Sequence, residues 1–265
     1  MRSNPAASTY REGVGEPLVL VHIGSNPWHK WEPVLPALVE RFDVFVPTLP
    51  GWPGGPDLTQ PVSLATLVDA VASAMDAAGI ATAHIVGNSL GGWLAFELAA
   101  RGRARSVTAF SPAGGWTRRG FDRCSRWFSV NQRVSIFTRP LAPLFLRFAS
   151  VRRVVFAVII KRGERLTPAQ AINQTRDTMP GEFDKILPAL GREDLRSYPD
   201  FGVPAMVAWS GDDRFTPLHP NGDSWRAAAP HAQFRVLPDV GHLPMFDDPA
   251  AVLETILEVA TPRER

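Results

Sequence analysis

Short apolar runs alternate with longer amphipathic segments over most of this chain, and this alternation restricts the fold more than any other feature. The amphipathic segments carry apolar residues at the three- and four-residue spacing of a helix. The runs of strand length are residues 18–21, 44–46, 84–86, 107–110, 205–209 and 234–237. Such a pattern predicts an α/β fold with a mostly parallel central sheet flanked by helices.

The alternation stops between residues 116 and 200. This stretch has no convincing buried strand, and prolines divide its helix-like segments. Because the strand pattern resumes at residue 205, one interrupted sheet explains the chain better than two separate domains. We therefore expect a core formed by residues 1–115 and 201–265, with residues 116–200 inserted as a helical cap.

Positive charge is concentrated in the predicted cap. The chain has 265 residues and a net charge of +2, with 45% hydrophobic and 20% charged residues, as in soluble globular enzymes. Residues 116–200 hold 16 basic and 8 acidic residues, whereas the remainder holds 12 basic and 18 acidic residues. The excess suggests an anionic group on a substrate, and no nucleic-acid-binding motif accompanies it.

The cysteine count and the apolar runs exclude several other classes. Cys124 is the single cysteine, so the chain has no internal disulfide and no multi-cysteine metal site. Its N-terminus lacks the apolar core of a secretory signal. The most apolar segment is residues 141–160. Its longest run without a charged residue, residues 154–160, is far shorter than the ~20 residues of a membrane-spanning helix. We expect a cytoplasmic protein without a membrane span.

The cap also contains an apolar segment, residues 141–160, that arginines interrupt. One interpretation is a cap helix that packs on the core and holds its arginines in water. A second is that the segment lines an apolar substrate channel in which an arginine receives a carboxylate. A membrane-surface role is a third.

The run Gly87-Asn88-Ser89-Leu90-Gly91 fits the pattern Gly-x-Ser-x-Gly directly between a predicted strand and a predicted helix. A reversal this sharp strains the backbone of Ser89 and presents its hydroxyl above the sheet edge. The glycines allow strand and helix to pack closely. Ser89 is therefore the candidate nucleophile.

A serine hydroxyl needs a base, and six histidines are available. His242 lies just after the last predicted strand, at the same carboxyl edge of the sheet as Ser89. His84 lies inside a strand, and the others lie in loops or beside surface helices. We therefore select His242 as the base.

The base in turn needs a carboxylate that orients it. Asp212 and Asp213 both follow the penultimate strand. We favour Asp213 and interpret Asp212 as a solvated turn residue. The order Ser, Asp, His is the one found in α/β hydrolases.

Together these segments resemble the α/β-hydrolase superfamily from about residue 17 to residue 260, the cap excepted. The motifs are His22-Ile23-Gly24, Trp31-Glu32-Pro33-Val34-Leu35, Leu49-Pro50-Gly51, Gly87 to Gly92, Asp213 with Pro217, and Gly241-His242. The position of Asp213 four residues before Pro217 matches the acid of the family. The resemblance implies an oxyanion hole from the backbone amides of Leu90 and Gly24, although Ile23 replaces the usual glycine.

The resemblance implies a serine hydrolase that needs no cofactor or metal and cleaves an ester of a small or medium, apolar molecule through an acyl-enzyme. Carbon–carbon bond hydrolases of the meta-cleavage-product type are the enzymatic alternative, because they often carry Gly-Asn-Ser at this turn. A small-molecule receptor without turnover is a further alternative. Epoxide hydrolases and haloalkane dehalogenases use an aspartate nucleophile, so Ser89 argues against both. The sequence specifies no oligomeric state.

Overall fold

The computed structural model describes residues 9–22, 28–52, 54–58, 60–176 and 183–261. Within them, seven strands form one sheet. The strands are β1 (Tyr10–Glu12), β2 (Glu16–Val21), β3 (Phe42–Val46), β4 (Ala83–Asn88), β5 (Ala104–Phe110), β6 (Ala205–Ser210) and β7 (Gln233–Leu237).

Helices follow or separate most of the strands. Those of the core are α1 (Leu35–Val39), α2 (Leu64–Ala77), α3 (Leu90–Ala100), α9 (Leu218–Ala228), α10 (Pro244–Asp247) and α11 (Pro249–Ala260). Those between β5 and β6 are α4 (Arg118–Thr138), α5 (Ala142–Phe145), α6 (Ala149–Phe156), α7 (Pro168–Arg176) and α8 (Phe183–Leu190), with 3₁₀ turns at Arg139–Leu141 and Gly163–Arg165.

The strand order is β1-β3-β2-β4-β5-β6-β7, and only β1 runs antiparallel to its neighbour. The chain moves outward from β2 to β3 and then returns to place β4 on the other side of β2. Ligands of open α/β sheets bind at the carboxyl edge where the strand order reverses in this way. The carboxyl ends of β2 and β4 therefore lie side by side at the expected position of a site.

Side chains of the central strands alternate between two cores, one on each face of the sheet. Val19 and Ile85 join the core that α2 and α3 cover, whereas Leu20 and Val86 join the one that α11 covers. Residues 18–21 are all fully buried. Because both faces are covered, the strands are apolar throughout.

The observed sheet confirms the predicted fold class, and all six predicted strands are present. The sequence did not reveal β1, which has three residues and lies at the sheet edge. It pairs antiparallel with β3, with Arg11 opposite Phe45, and the Arg11 guanidinium also donates to the Asp43 carboxylate at 2.6 and 3.0 Å. Such a strand has too few residues to show a period.

Five α-helices and no strand lie between β5 and β6 in the described part of residues 116–200. The apolar residues of this region are divided. Leu146, Phe156 and Ile160 are buried, whereas Phe137 and Val154 are 83% and 76% exposed. Over the described residues, no helix is long and apolar enough to cross a membrane.

A reciprocal pair of side-chain hydrogen bonds between Ser63 and Thr66 begins α2. The Ser63 Oγ accepts from the Thr66 amide at 3.2 Å, and the Thr66 Oγ1 accepts from the Ser63 amide at 3.0 Å. This capping box satisfies amides that have no partner inside the helix.

Replacing the capping hydroxyl in Ser63→Ala should lower the free energy of unfolding by about 1 kcal/mol, because an amide of the first turn loses its acceptor. Urea denaturation followed by circular dichroism measures the change. Ser73→Ala is the matched control, since Ser73 is exposed in the interior of the same helix. Alanine is the better helix former there, so the control should be neutral or slightly stabilising. Equal effects of the two substitutions would contradict the capping role.

Candidate active site

A single residue, Ser89, separates the end of β4 from the start of α3. Its dihedral angles are φ 55° and ψ −117°, a region that a residue with a side chain rarely occupies. Three backbone hydrogen bonds hold it there. The Ser89 amide donates to the Phe110 carbonyl at 2.9 Å, and the Ser89 carbonyl accepts from the amides of Trp93 at 3.2 Å and Ala113 at 2.9 Å. The backbone strain is therefore fixed by β5, α3 and the loop after β5.

Two glycines allow this turn to close. A Cβ on Gly87 would lie 2.0 Å from the Gly91 carbonyl oxygen, and a Cβ on Gly91 would lie 2.0 Å from the Val21 carbonyl oxygen. Both distances are shorter than any tolerable contact, so no other residue fits without a shift of the backbone. The contact of Gly91 with Val21 also sets the end of β2 directly beside the turn.

The first amides of α3 are available to an anion. Helical hydrogen bonding starts when the Trp93 amide donates to the Ser89 carbonyl, so the Leu90 amide has no acceptor inside the helix. The partial positive charge of a helix N-terminus adds to the attraction. Gly24, the other predicted donor, lies outside the described residues, as does Ile23. The described chain next to them, Val21, contacts the turn at Gly91.

Asp213 and His242 form a buried acid–base pair. The His242 Nδ1 lies 2.7 Å from the Asp213 Oδ2, and both side chains are almost fully buried. The Asp213 Oδ1 accepts from the amides of Phe215 at 2.9 Å and Thr216 at 2.7 Å. The Thr216 hydroxyl donates to the Asp213 Oδ2 at 3.0 Å. These bonds fix the carboxylate, which in turn orients the imidazole.

Asp212 makes a different contact. Its carboxylate lies 2.6 Å from the Lys161 ammonium, at a partly exposed position. Asp239 also pairs with this ammonium, at 2.7 Å. Hydrogen bonds to the two carboxylates raise the pKa of Lys161, and the bond from Lys161 lowers the pKa of Asp239. Of the two neighbouring aspartates, only Asp213 is within hydrogen-bonding distance of His242.

The other nitrogen of the imidazole, Nε2 of His242, is buried and has no hydrogen-bond partner among the described residues. With a proton on Nδ1 directed at Asp213, this nitrogen is an acceptor. Ser89 and His242 share no hydrogen bond, but Asn88 connects their backbones. The Asn88 amide group donates to the carbonyls of His242 at 3.1 Å and of Phe110 at 3.0 Å. The turn that carries Ser89 and the loop that carries His242 are therefore adjacent.

The helix α4 packs over the acid loop. The centroid of the Phe215 ring lies 4.8 Å from that of the His242 imidazole. The ring centroids of Trp127 and Phe128 lie 5.2 and 5.1 Å from that of Phe215. Cys124, on the same helix, is buried, and burial together with the nearby Asp213 carboxylate raises the pKa of its thiol to about 12. An aromatic surface thus lies beside the acid–base pair.

A second contact joins the inserted region to the histidine loop through the buried Asp247. Its carboxylate accepts from the amides of Gly241 at 2.8 Å, Lys161 at 2.9 Å and Arg162 at 2.7 Å. The Leu243 amide also donates to the Ile159 carbonyl at 2.9 Å. The chain after α6 therefore contacts both sides of His242.

Sequence reasoning did not select Asn88, Phe215, Thr216 or Asp247. Asn88 directly precedes Ser89, and Phe215 and Thr216 lie between Asp213 and Pro217, so the motifs already contained them. Asp247 had no local signal, because two of its three partners are about 85 residues earlier in the chain.

Two other buried histidines have structural partners. His22 is buried, and its Nε2 accepts from the Leu49 amide at 3.0 Å. His84 contacts Ser106 at 2.8 Å and Glu16 at 3.1 Å. No group of three or more His, Cys, Asp or Glu residues suited to a metal ion occurs in the described part of the chain.

Several known hydrolases are similar to this chain in sequence or in fold. The chain is 34% identical over 201 residues to the epoxide hydrolase EphH of Mycobacterium tuberculosis, covering 74% of this chain and 94% of that protein. It is 30% identical over 215 residues to the putative carbamate hydrolase RutD of Azorhizobium caulinodans, covering 78% and 77%. A thermophilic esterase from Thermogutta terrifontis shares the fold with a TM-score of 0.68 at 21% identity, covering 96% of this chain and 93% of that one.

Residues 18–255 fit the model of the alpha/beta hydrolase family, a span that contains Ser89, Asp213 and His242. The parallel sheet, the strained turn and the buried acid–base pair are the features that this match leads one to expect. The chain therefore belongs to the alpha/beta hydrolase family.

Proposed function

We propose that this hydrolase cleaves a carboxylic ester of a small or medium, apolar molecule, with Ser89 as nucleophile, His242 as base and Asp213 as the acid that orients it. The observation that carries this proposal is the unpartnered Nε2 of His242, buried in a loop that Asn88 bonds to the turn bearing Ser89. A base with one nitrogen occupied by a carboxylate and the other free is the requirement for activating a hydroxyl.

The proposed reaction has two halves. In the first, the Ser89 oxygen attacks the ester carbonyl while its proton moves to Nε2 of His242, and that proton then leaves with the alcohol. In the second, a water molecule attacks the acyl-enzyme, gives a proton to His242, and the acid departs as the Ser89 hydroxyl re-forms. Amides of Leu90 and Gly24 stabilise the oxyanion of both tetrahedral intermediates.

Apolar selectivity follows from the surroundings of the imidazole. Phe215 lies against His242, and Trp127 and Phe128 extend the aromatic surface from there. Burying an apolar acyl or alkoxy group against these rings contributes binding free energy. We assign residues 116–200 the role of a cap on this basis, since α4 supplies two of the three rings.

Epoxide opening fits the site less well, despite the similarity to EphH. Attack of the Ser89 oxygen on an epoxide carbon would form an ether. An ether has no carbonyl for an activated water to attack, so the enzyme would remain alkylated. A carbonyl substrate avoids this end point, and the carbamate named for RutD is such a substrate.

Carbon–carbon bond hydrolysis is the second candidate, favoured by Asn88 in the Gly-Asn-Ser turn. In the structure the Asn88 amide group bonds to two backbone carbonyls, so it supports the turn itself. A screen of p-nitrophenyl esters of graded chain length and of a 2-hydroxy-6-oxo-2,4-dienoate separates the two reactions. Turnover of the dienoate alone would favour carbon–carbon cleavage. Ligand-induced stabilisation without any turnover would favour a receptor.

Ser89→Ala should lower kcat/KM for p-nitrophenyl esters by roughly 10⁴-fold or more, because the covalent step is lost. A fluorophosphonate should label the unchanged protein once, at Ser89, as peptide mass spectrometry would locate. Ser210→Ala is an unsuitable control because Ser210 is fully buried, so Ser73→Ala serves instead and should retain labelling and activity. Labelling at another residue, or of Ser89→Ala, would exclude Ser89 as nucleophile.

Asp213→Asn should lower kcat about 10⁴-fold, because the amide no longer holds the imidazole in the required tautomer. Asp212→Asn is the matched control. It removes only a partly exposed ion pair with Lys161 and should leave kcat within about twofold. Initial rates at saturating ester compare the two. If Asp212→Asn proved the more damaging substitution, the assignment of the acid would be wrong.

The buried Cys124 reports on the proposed cap. Burial shields its thiol and raises the pKa of that thiol to about 12, so the reactive thiolate is scarce at pH 8. Native protein should therefore react with Ellman's reagent far more slowly than protein in denaturant, monitored by absorbance. Fast, complete reaction of the native protein would show that α4 does not stay closed over Asp213.

A further inference from the structure

The helix α4 has two apolar stripes, of which the core covers only one. Phe121, Cys124 and Phe128 belong to the covered stripe, which packs towards the core. The other stripe lies on roughly the opposite side of the helix, at about 100° per residue. An amphipathic cap helix needs a single apolar stripe, so the second one is not explained by packing.

This second stripe continues beyond α4. The backbone at Thr138, Arg139, Leu141 and Ala142 stays in the right-handed helical region, so α4, the 3₁₀ turn and α5 form one helical path. The apolar residues recur along it at alternating spacings of four and three. We call these residues the outer stripe: Val130, Val134, Phe137, Leu141, Leu144, Phe145 and, just beyond the path, Phe148.

The outer stripe is open to solvent, and its seven residues are each 47% to 83% exposed. Isolated exposed apolar residues are ordinary, but a continuous stripe on one element marks an interaction surface. Phe137 is the most exposed of the set, at 83%.

The charge around the outer stripe has one sign. Residues 123–163 hold nine basic residues and no acidic residue. Six of the arginines are exposed: Arg123, Arg126, Arg133, Arg139, Arg147 and Arg153. None of the six forms an ion pair with a carboxylate of the described chain.

We propose that the outer stripe and its arginines dock this protein on an anionic phospholipid surface. Apolar side chains would enter the boundary between headgroups and acyl chains, and guanidinium groups would bind lipid phosphates. A second copy of the chain fits this surface poorly. A two-fold dimer through the outer stripe would bring together the basic stretches 123–163 of both copies, and neither stretch contains an acidic residue to pair with the arginines of the other.

Vesicle sedimentation tests the proposal on the full chain. The protein is mixed with vesicles of phosphatidylcholine alone, or with vesicles in which about a third is phosphatidylglycerol. We expect binding to the anionic vesicles, weak binding to the neutral ones, and a marked loss of binding at ~1 M salt. Failure to sediment with anionic vesicles, or equal binding to both kinds, would overturn the proposal.

Two paired variants identify the surface. Arg126→Gln with Arg133→Gln, which lie one helical turn before Val130 and Phe137, should weaken binding to anionic vesicles about 30-fold, whereas Arg41→Gln with Arg192→Gln, an equal charge change elsewhere, should have little effect. Val134→Ser with Phe137→Ser should likewise weaken binding at least about tenfold. Its control is Val14→Ser with Val236→Ser, which alters two exposed valines outside residues 116–200.

All four variants change exposed positions, and thermal unfolding checks that each is folded. If the control pairs weakened binding as much as the pairs at the outer stripe, the docking surface would lie elsewhere and the proposal would be wrong. Light scattering after size-exclusion chromatography tests whether a second copy of the chain binds the outer stripe instead. A dimer that Val134→Ser with Phe137→Ser dissociates would show that a second copy covers the outer stripe, which would also overturn the proposal.

Discussion

The close approach of α3 to the ends of β2 and β4 is the constraint on which the site depends. Gly87 and Gly91 leave no room for a side chain, and a Cβ at either position would lie 2.0 Å from a backbone carbonyl oxygen. Because the helix begins one residue after the strand ends, Ser89 adopts a positive φ of 55°. Hydrogen bonds from three neighbouring segments keep it there. Tight packing between strand and helix thus fixes the backbone that carries the Ser89 hydroxyl and leaves the first amides of α3 without acceptors inside the helix.

The inserted helices are connected to the chemistry as well as to the sheet. Cys124, Trp127 and Phe128 of α4 lie over the loop of Asp213, while the carboxylate of Asp247 joins residues 161 and 162 to the loop of His242. A movement of this region would therefore act on the orientation of the imidazole and on access to it at the same time. Cap motion and catalysis are coupled through these two contacts in the proposed mechanism.

Much of the core was predictable because its signals are local. The six strands of the sequence analysis are all present, since a buried parallel strand must be apolar along its whole length. The cap on α2 was predictable from Ser63 for the same reason, because its hydrogen bonds join residues three apart. The strand β1 was missed because it has only three residues, none of them fully buried, and its partner β3 begins thirty residues later in the chain.

By itself the sequence determined the fold class, the family resemblance and the candidates Ser89 and His242, because each depends on a motif and its place between a strand and a helix. Tertiary structure decided which of two adjacent aspartates contacts His242, since a strand end can direct either one at a distant loop and only the observed turn selects Asp213. It also decided that Asp247 anchors the histidine loop and that the outer stripe of the inserted region stays exposed. Both properties depend on residues far apart in the chain, and their burial is a property of the packed molecule that a pattern of residue types does not contain.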